Sequence, residues 1–265
     1  MPAGLRVMSL RPASLDTAGG EHQLALALDS WRHWAVALAG RPRVLGPAGA
    51  GLTNSSWLIA SGSDRAVVRL NSPIGERLGV DRHREARVLD ALAHTGITPP
   101  VWHNDPDKGF LVTAFIPGRV WGPGDLANTA QRRRLGELVD RYQRIETGLP
   151  ARDYTAYLDN YWHQLQRRDV AVPESLAGRY WHCRGELANW RAACEPALLT
   201  HHDLTPANII DHEGRLYLLD WEYAAPGCGH IDRLAMGETD CPAEVQELAA
   251  LINDLWLLVR ETAES

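Results

Sequence analysis

Residues 198–224 read LLTHHDLTPANIIDHEGRLYLLDWEYA. Within this stretch His201-x-Asp203 is followed after four residues by Asn208, and Asp220 comes twelve residues later, after a second apolar run. Ile209–Ile210 and Leu216–Leu219 are expected as two short strands around a turn at His212–Gly214. Asp203 and Asn208, five apart on one tight loop, can aim at the same small volume, and Asp220 at the end of the neighbouring strand completes the set. A β-hairpin with incidental acids is the plain alternative. A transition-metal site built from His201, His202, Asp203 and His212 is disfavoured, because adjacent histidines on an extended chain point to opposite faces.

Two carboxylates and an amide in this order suit phosphoryl transfer. That reaction needs a carboxylate beside the attacking hydroxyl and hard oxygen ligands to hold Mg²⁺ on nucleotide phosphates. An isolated HxDxxxxN is weak; joined to NII, a turn, a second apolar strand and DWEY, it is specific.

Outward from this segment, residues 21–39 read as an amphipathic helix with Leu24, Leu28, Trp31 and Ala35 on one face. A glycine-rich stretch follows, then a hairpin of Ser56–Ala60 and Ala66–Leu70, a helix over 81–95 and two strands around a turn at Asn104–Gly109. Beyond Pro117–Gly118 the pattern is helical over 126–145, 154–168, 175–194 and 243–261. The expectation is a nucleotide-binding lobe over 1–117, with its leading helix 21–39, and a helical catalytic and substrate lobe over 118–265.

At 265 residues with 45% apolar and 23% charged side chains, the chain has the composition of a globular protein. No run of eighteen apolar residues and no secretory signal is present, so a cytoplasmic protein without a membrane span is expected. The net charge of −6 argues against a general nucleic-acid binder. It is unevenly spread: the first 125 residues carry 13 basic and 11 acidic side chains, the remainder 14 and 22. The second half is therefore where cationic ligands are expected. The four cysteines form no CxxC pair and read as buried thiols. Lys108 is the only lysine, so a cation that holds a phosphate must be an arginine.

The chain resembles the aminoglycoside phosphotransferase and choline kinase superfamily, and most of all its bacterial choline and thiamine kinases. Four pieces carry the resemblance: GLTNSSWLI (51–59), AVVRL (66–70) with EARVLDALAHTGITPPV (85–101), THHDLTPANII (200–210) and LLDWEYAAPG (218–227). It implies an α+β, protein-kinase-like bilobal fold with ATP and Mg²⁺ as cofactors. By resemblance Asp203 is the catalytic base or substrate-orienting carboxylate, His201 braces the loop, and Asn208 and Asp220 ligate the metal. Arg69 takes the place of the basic residue on the nucleotide phosphates, paired with Glu85. The Gly46–Asn54 stretch, with Gly49, Gly51 and Asn54, closes over the phosphates, although GPAGAG does not fit GxGxxG. Thr113, Phe115 and Ile116 lie where backbone groups recognise adenine, and Asp232 resembles the aspartate that braces the catalytic loop.

For the acceptor, Glu222 is expected on the same strand face as Asp220, where this branch places a substrate-binding glutamate. Among ten tryptophans, Trp162, Trp181, Trp221 and Trp256 lie in the acidic half, where an aromatic face attracts a cation with about 0.5–2 kcal/mol. Trp162, Trp221 and Trp256 are therefore candidate substrate contacts, with core packing as the alternative for each. The expected activity is transfer of the γ-phosphate to a hydroxyl of a small, cationic metabolite (choline, ethanolamine or thiamine type), with no obligate protein partner. Aminoglycoside phosphorylation and an inactive nucleotide-binding regulator of the same fold are the alternatives.

Overall fold

Short apolar runs lie within SSWLIAS and DRAVVRL, and these segments pair as β2 and β3 of a five-stranded antiparallel sheet. The strands are β1 (Arg43–Ala50), β2 (Ser55–Ser61), β3 (Asp64–Leu70), β4 (Val101–Asp105) and β5 (Phe110–Ala114), in the order β1-β2-β3-β5-β4. The computed structural model describes residues 17–50, 54–190 and 194–263. One unit, Met1–Pro73 with Val101–Phe115, holds this sheet; the other comprises Ile74–Pro100 and Ile116–Ser265.

In the first unit Ile59, Ala66, Val68, Leu70, Phe110 and Val112 form the buried sheet face, covered by Leu24, Ala27, Leu28 and Trp34. The helix expected over 21–39 is shorter at its C-terminal end. α1 (Thr17–Asp29) gives way to a 3-10 turn, Ser30–His33. The tighter winding changes the buried face: Trp34 is buried, Trp31 half-buried and Ala35 exposed. The glycine-rich stretch read as a loop supplies edge strand β1, whose pairing with β2 shifts register twice, between Val44 and Gly46 and between Pro47 and Gly49. An edge position tolerates Pro47, which has no N–H to donate. At the β4–β5 turn the Asp105 carboxylate accepts from the Lys108 backbone N–H and from its Nζ, both at 2.9 Å.

The second unit contains α2 (Arg82–Leu92), α3 (Pro123–Ala127), α4 (Thr129–Tyr142), α5 (Tyr154–Arg167), α6 (Glu174–Trp190), α7 (His230–Ala235) and α8 (Ala243–Ala263). Its strands are β6 (Arg119–Val120), β7 (Leu198–Thr200), β8 (Ile209–His212), β9 (Arg215–Leu218) and β10 (Ala225–Gly227). They form a β6-β8-β9 sheet and a β10-β7 ribbon. The sequence reading divided the chain once, after residue 117, whereas the units divide it after Pro73, Pro100 and Phe115. The reason is that α2 packs on the turn after Asp220 and on β10. The helix expected over 126–145 is broken at Asn128, whose side chain leaves α3 and caps α4 by accepting from the N–H groups of Ala130 and Gln131.

The main core of this unit joins α5, α6 and α8. Leu158, Tyr161, Trp162 and Leu165 meet Tyr180, Cys183, Leu248, Leu251, Leu255 and Val259. Trp162 is stacked on Tyr180 with ring centroids 4.2 Å apart and is 7% exposed. Its expected role as a substrate contact is thus replaced by core packing, since one ring face is stacked on Tyr180 and the side chain is buried. No helix among the described residues is long and apolar enough to cross a membrane.

Gly79 ties the segment before α2 to this core. Its φ is +83°, and a Cβ there would lie 2.5 Å from Tyr157 Cε2, while Tyr161 donates to the Leu78 carbonyl at 2.7 Å. Gly79→Ala is expected to lower unfolding stability by about 1–3 kcal/mol. Gly178→Ala, in open space on α6, should raise it by about 0.5–1 kcal/mol. Urea unfolding of both variants checks the opposite signs.

Candidate functional site

β7 delivers the chain into the loop that begins at His201, and a buried carboxylate fixes that loop. Asp232, on α7 and fully buried, accepts from the His201 N–H at 2.6 Å, the His202 N–H at 3.0 Å and the Tyr142 hydroxyl at 2.6 Å. Burial pushes its carboxyl up to about 6, against the pull of these three donors. His202 is held at φ +64°, a conformation that costs a side-chain-bearing residue about 1–2 kcal/mol. Its ring is pinned by the Thr200 carbonyl at 3.0 Å and the Tyr154 hydroxyl at 2.9 Å.

His201 is completely buried. Its Nε2 lies 2.8 Å from the Leu219 carbonyl, while Nδ1 accepts from the Asp203 N–H at 3.3 Å. These partners select the neutral tautomer with the proton on Nε2. Burial lowers its pKa to about 4. It braces the loop and presents no surface for proton transfer.

Asp203 is half-buried, not the exposed loop acid its setting in the sequence suggests. Burial and the nearby Glu222 charge push it up to about 7, against the Asn208 amide. Asn208 Nδ2 donates to the Asp203 backbone carbonyl and to its Oδ2, both at 2.9 Å. Because two oxygens occupy the NH₂ side, Asn208 Oδ1 faces away as a hard oxygen donor. Leu219 donates to the Asn208 carbonyl at 2.8 Å, which sets Asp220 beside this loop. Mg²⁺ uses one or two protein oxygens and fills the rest of its shell with phosphate and water, so an amide oxygen and one carboxylate fit it. Among the described residues no group of three or more His, Cys, Asp or Glu side chains is placed to hold a metal ion.

Asp220 does not lie on the strand. β9 ends at Leu218, Asp220 adopts φ +59°, and Trp221–Tyr223 form a 3-10 turn. Asp220 and Glu222 therefore do not share a strand face, contrary to expectation. Glu222 is 3% exposed and meets Arg82 Nη1 at 2.8 Å; the same Nη1 meets Glu85 at 2.9 Å. One arginine thus serves two buried carboxylates. Trp221 is 1% exposed, edge-on to Tyr142 at 5.3 Å, with its ring 4.6 Å from His201. It supports the loop from below and offers no face to a ligand, a correction to its expected substrate role. Trp256 is half-buried, donating to the Tyr223 hydroxyl at 2.9 Å.

The remaining expected residues divide between the units. In the first, Arg69 on β3 is 9% exposed and donates to Asn71 Oδ1 at 3.2 Å. Asn54 is buried and accepts from the Ser72 N–H, and Gly49 pairs with Ser56. Gly51 lies outside the described residues. Thr113 sits within β5, and the Phe115 N–H donates to the Arg65 carbonyl at 3.0 Å. Ile116 and Glu85 belong to the second unit. Arg82 and Tyr154 were missed by the sequence reading. The i, i+3 spacing of Arg82 and Glu85 was a visible signal; nothing local linked Tyr154 to His202.

His201 lowered and Asp203 and Asp232 raised act on stability with opposite signs between pH 7 and 4. A histidine held neutral contributes stability at pH 7 that is lost as pH falls through 6.5 towards about 4. The raised carboxyls contribute stability at low pH that is lost as pH rises through about 6 to 7. Burial also lowers His202 well below its usual value, a second loss of the same sign as that of His201, so two histidines oppose two carboxyls and wild-type stability should change little across this window. The stability difference between wild type and His201→Asn should shrink by about 1.4 kcal/mol per pH unit below 6.5, measurable in urea titrations at stepped pH.

No curated protein matches the chain. Among solved structures it is similar to a choline/ethanolamine kinase family protein from Mesorhizobium loti, at 23% identity over 89% of this chain and 84% of that one, with a TM-score of 0.62. It is similar to choline kinase LicA from Streptococcus pneumoniae, at 19% identity over 92% of each chain and a TM-score of 0.65; LicA is also solved with AMP. Macrolide 2'-phosphotransferase MphH from Brachybacterium faecium aligns at 21% identity over 90% of this chain and 87% of that one, with a TM-score of 0.53. At these identities the likeness is one of fold, and the fold is α+β and protein-kinase-like, as expected. The sequence profile described as "Phosphotransferase enzyme family" matches residues 44–257. With most of its length inside that profile and a bracketed Asp203–Asn208 pair in its second unit, the chain belongs to the phosphotransferase enzyme family.

Proposed function

We propose that this phosphotransferase uses ATP and Mg²⁺ to phosphorylate a hydroxyl of a small, cationic metabolite of the choline, ethanolamine or thiamine type. The observation that carries the reading is the Asp203–Asn208 pair: one amide orients the loop carboxylate and at the same time turns its own oxygen outward. In this reading Asp203 orients the acceptor hydroxyl and takes its proton, and Asn208 and Asp220 hold the metal. Bound Mg²⁺ supplies charge neutralisation on the nucleotide phosphates. Arg69, Glu85, Gly49, Gly51 and Asn54 are assigned to the phosphates, and the backbone of Thr113, Phe115 and Ile116 to adenine.

A cationic acceptor is supported by the excess acid of the second half. The fold similarity to choline and ethanolamine kinases points the same way. Glu222 acts here through Arg82 and not as an open counter-ion.

Incubation with ATP, Mg²⁺ and a panel of amino alcohols should give phosphorylated product with at least one of them. Product from aminoglycosides or macrolides alone would reassign the acceptor. Tight nucleotide binding without any transfer would favour a regulator. Asp203→Ala should lower kcat by about 10²–10⁴ while the urea midpoint holds or rises, because the removed carboxylate is desolvated and faces Glu222. Asp220→Asn should raise the Mg²⁺ concentration needed for nucleotide binding severalfold; an unchanged titration would remove it as a ligand.

A further inference from the structure

All four cysteines are reduced, and two of them meet. Cys228, just past β10, and Cys194 share a side-chain hydrogen bond. Cys194 packs on the small apolar cluster of Cys228, Ile231 and Val245. Both residues line a cavity of about 850 Å³, together with Tyr154, Trp190, Val245 and Leu248. The pair is asymmetric: Cys194 is half-buried and reachable, whereas Cys228 is buried. The shared hydrogen bond holds the Cys194 thiol below its usual value and pushes Cys228 up. A reachable sulfur hydrogen-bonded to a shielded one is the arrangement of an attacking and a resolving thiol. Cys241 has different surroundings: its sulfur lies against the carbonyls of His230 and Glu238, at 3.8 and 3.9 Å.

Cys228 is also wired to the catalytic loop. Its backbone N–H donates to the Tyr154 hydroxyl at 2.8 Å, and that hydroxyl meets His202 Nε2 at 2.9 Å. His202 is in turn anchored through its own N–H to Asp232. There is little slack, since a Cβ on Gly227 would lie 2.6 Å from the Tyr154 hydroxyl and 3.0 Å from His202 Nε2. A shift of the Cys228 backbone towards Cys194 must carry the Tyr154 hydroxyl with it, straining its bond to His202, or break the bond between Cys228 and Tyr154.

We propose that Cys194 and Cys228 form a thiol–disulfide modification site for small disulfides of the glutathione type, and that closing the bridge loosens the His201–Asp203 loop through Tyr154. The Cys194 thiolate attacks one sulfur of the small disulfide, forming a mixed disulfide and releasing one small thiolate. Cys228 then loses its proton to solvent and attacks the Cys194 sulfur, releasing the second. The protein loses two hydrogen atoms and two electrons; the small disulfide is reduced to two thiols. The inference does not depend on which acceptor is phosphorylated.

The test treats the full chain with oxidised glutathione, followed by intact-mass, peptide-mapping and hydrogen-exchange measurements. The expected result is a mass lower by two hydrogens, a Cys194–Cys228 linked peptide, and severalfold faster amide exchange in the peptide spanning 198–208, all reversed by dithiothreitol. Cys194→Ser should show neither the bridge nor the faster exchange, and Cys241→Ser should behave as wild type. A stable glutathione adduct without the internal link, or no oxidation at all, overturns the site. A linked peptide with unchanged exchange over 198–208 overturns the coupling.

Discussion

The second unit depends on a carboxylate that does no chemistry. Asp232 gathers two consecutive backbone N–H groups and one phenol, and these bonds oblige the chain to turn sharply at His202. That turn sends Asp203 back towards Asn208. A buried ion is costly unless nearly all its lone pairs are used, and here three short bonds use them. Tyr142 enters from α4 and Trp221 lies edge-on to it beneath His201. The precision of the loop is thus anchored in the helical core.

A second group of charges operates alongside. Arg82 lies between Glu85 and Glu222, so two buried carboxylates meet one guanidinium. The Glu222 charge contributes, after burial, to Asp203's reluctance to ionise. Glu222 is therefore better described as tuning Asp203 than as gripping a substrate.

Much of this was legible in advance. The hairpin of β2 and β3, the helix α2 and the two strands after Asn208 follow from apolar periodicity, and the Asp203–Asn208 pairing from five-residue spacing on a loop. What escaped was set by tertiary geometry. A 3-10 turn over Trp221–Tyr223 has no signature distinct from a strand in a segment so apolar, so the facing of Glu222 was misjudged. The tryptophans were ambiguous because a ring that attracts cations also fills cores; stacking on Tyr180 decided the matter for Trp162. β1 was hidden by glycines and Pro47, residues tolerated there because the strand is an edge. The Tyr154–His202 bond joins positions 48 residues apart, and no local pattern records it.

The single lysine, at the β4–β5 turn with its amine on Asp105, has a practical consequence. Acetyl groups, ubiquitin and amine-directed dyes all require a primary amine, and within this sequence the side chains offer them one address, on the sheet-bearing unit. The guanidinium groups at Arg69 and Arg82 lie beyond that chemistry. Acylation therefore leaves every guanidinium charge in place, and a fluorophore attached through Lys108 would report on the chain without removing one of them.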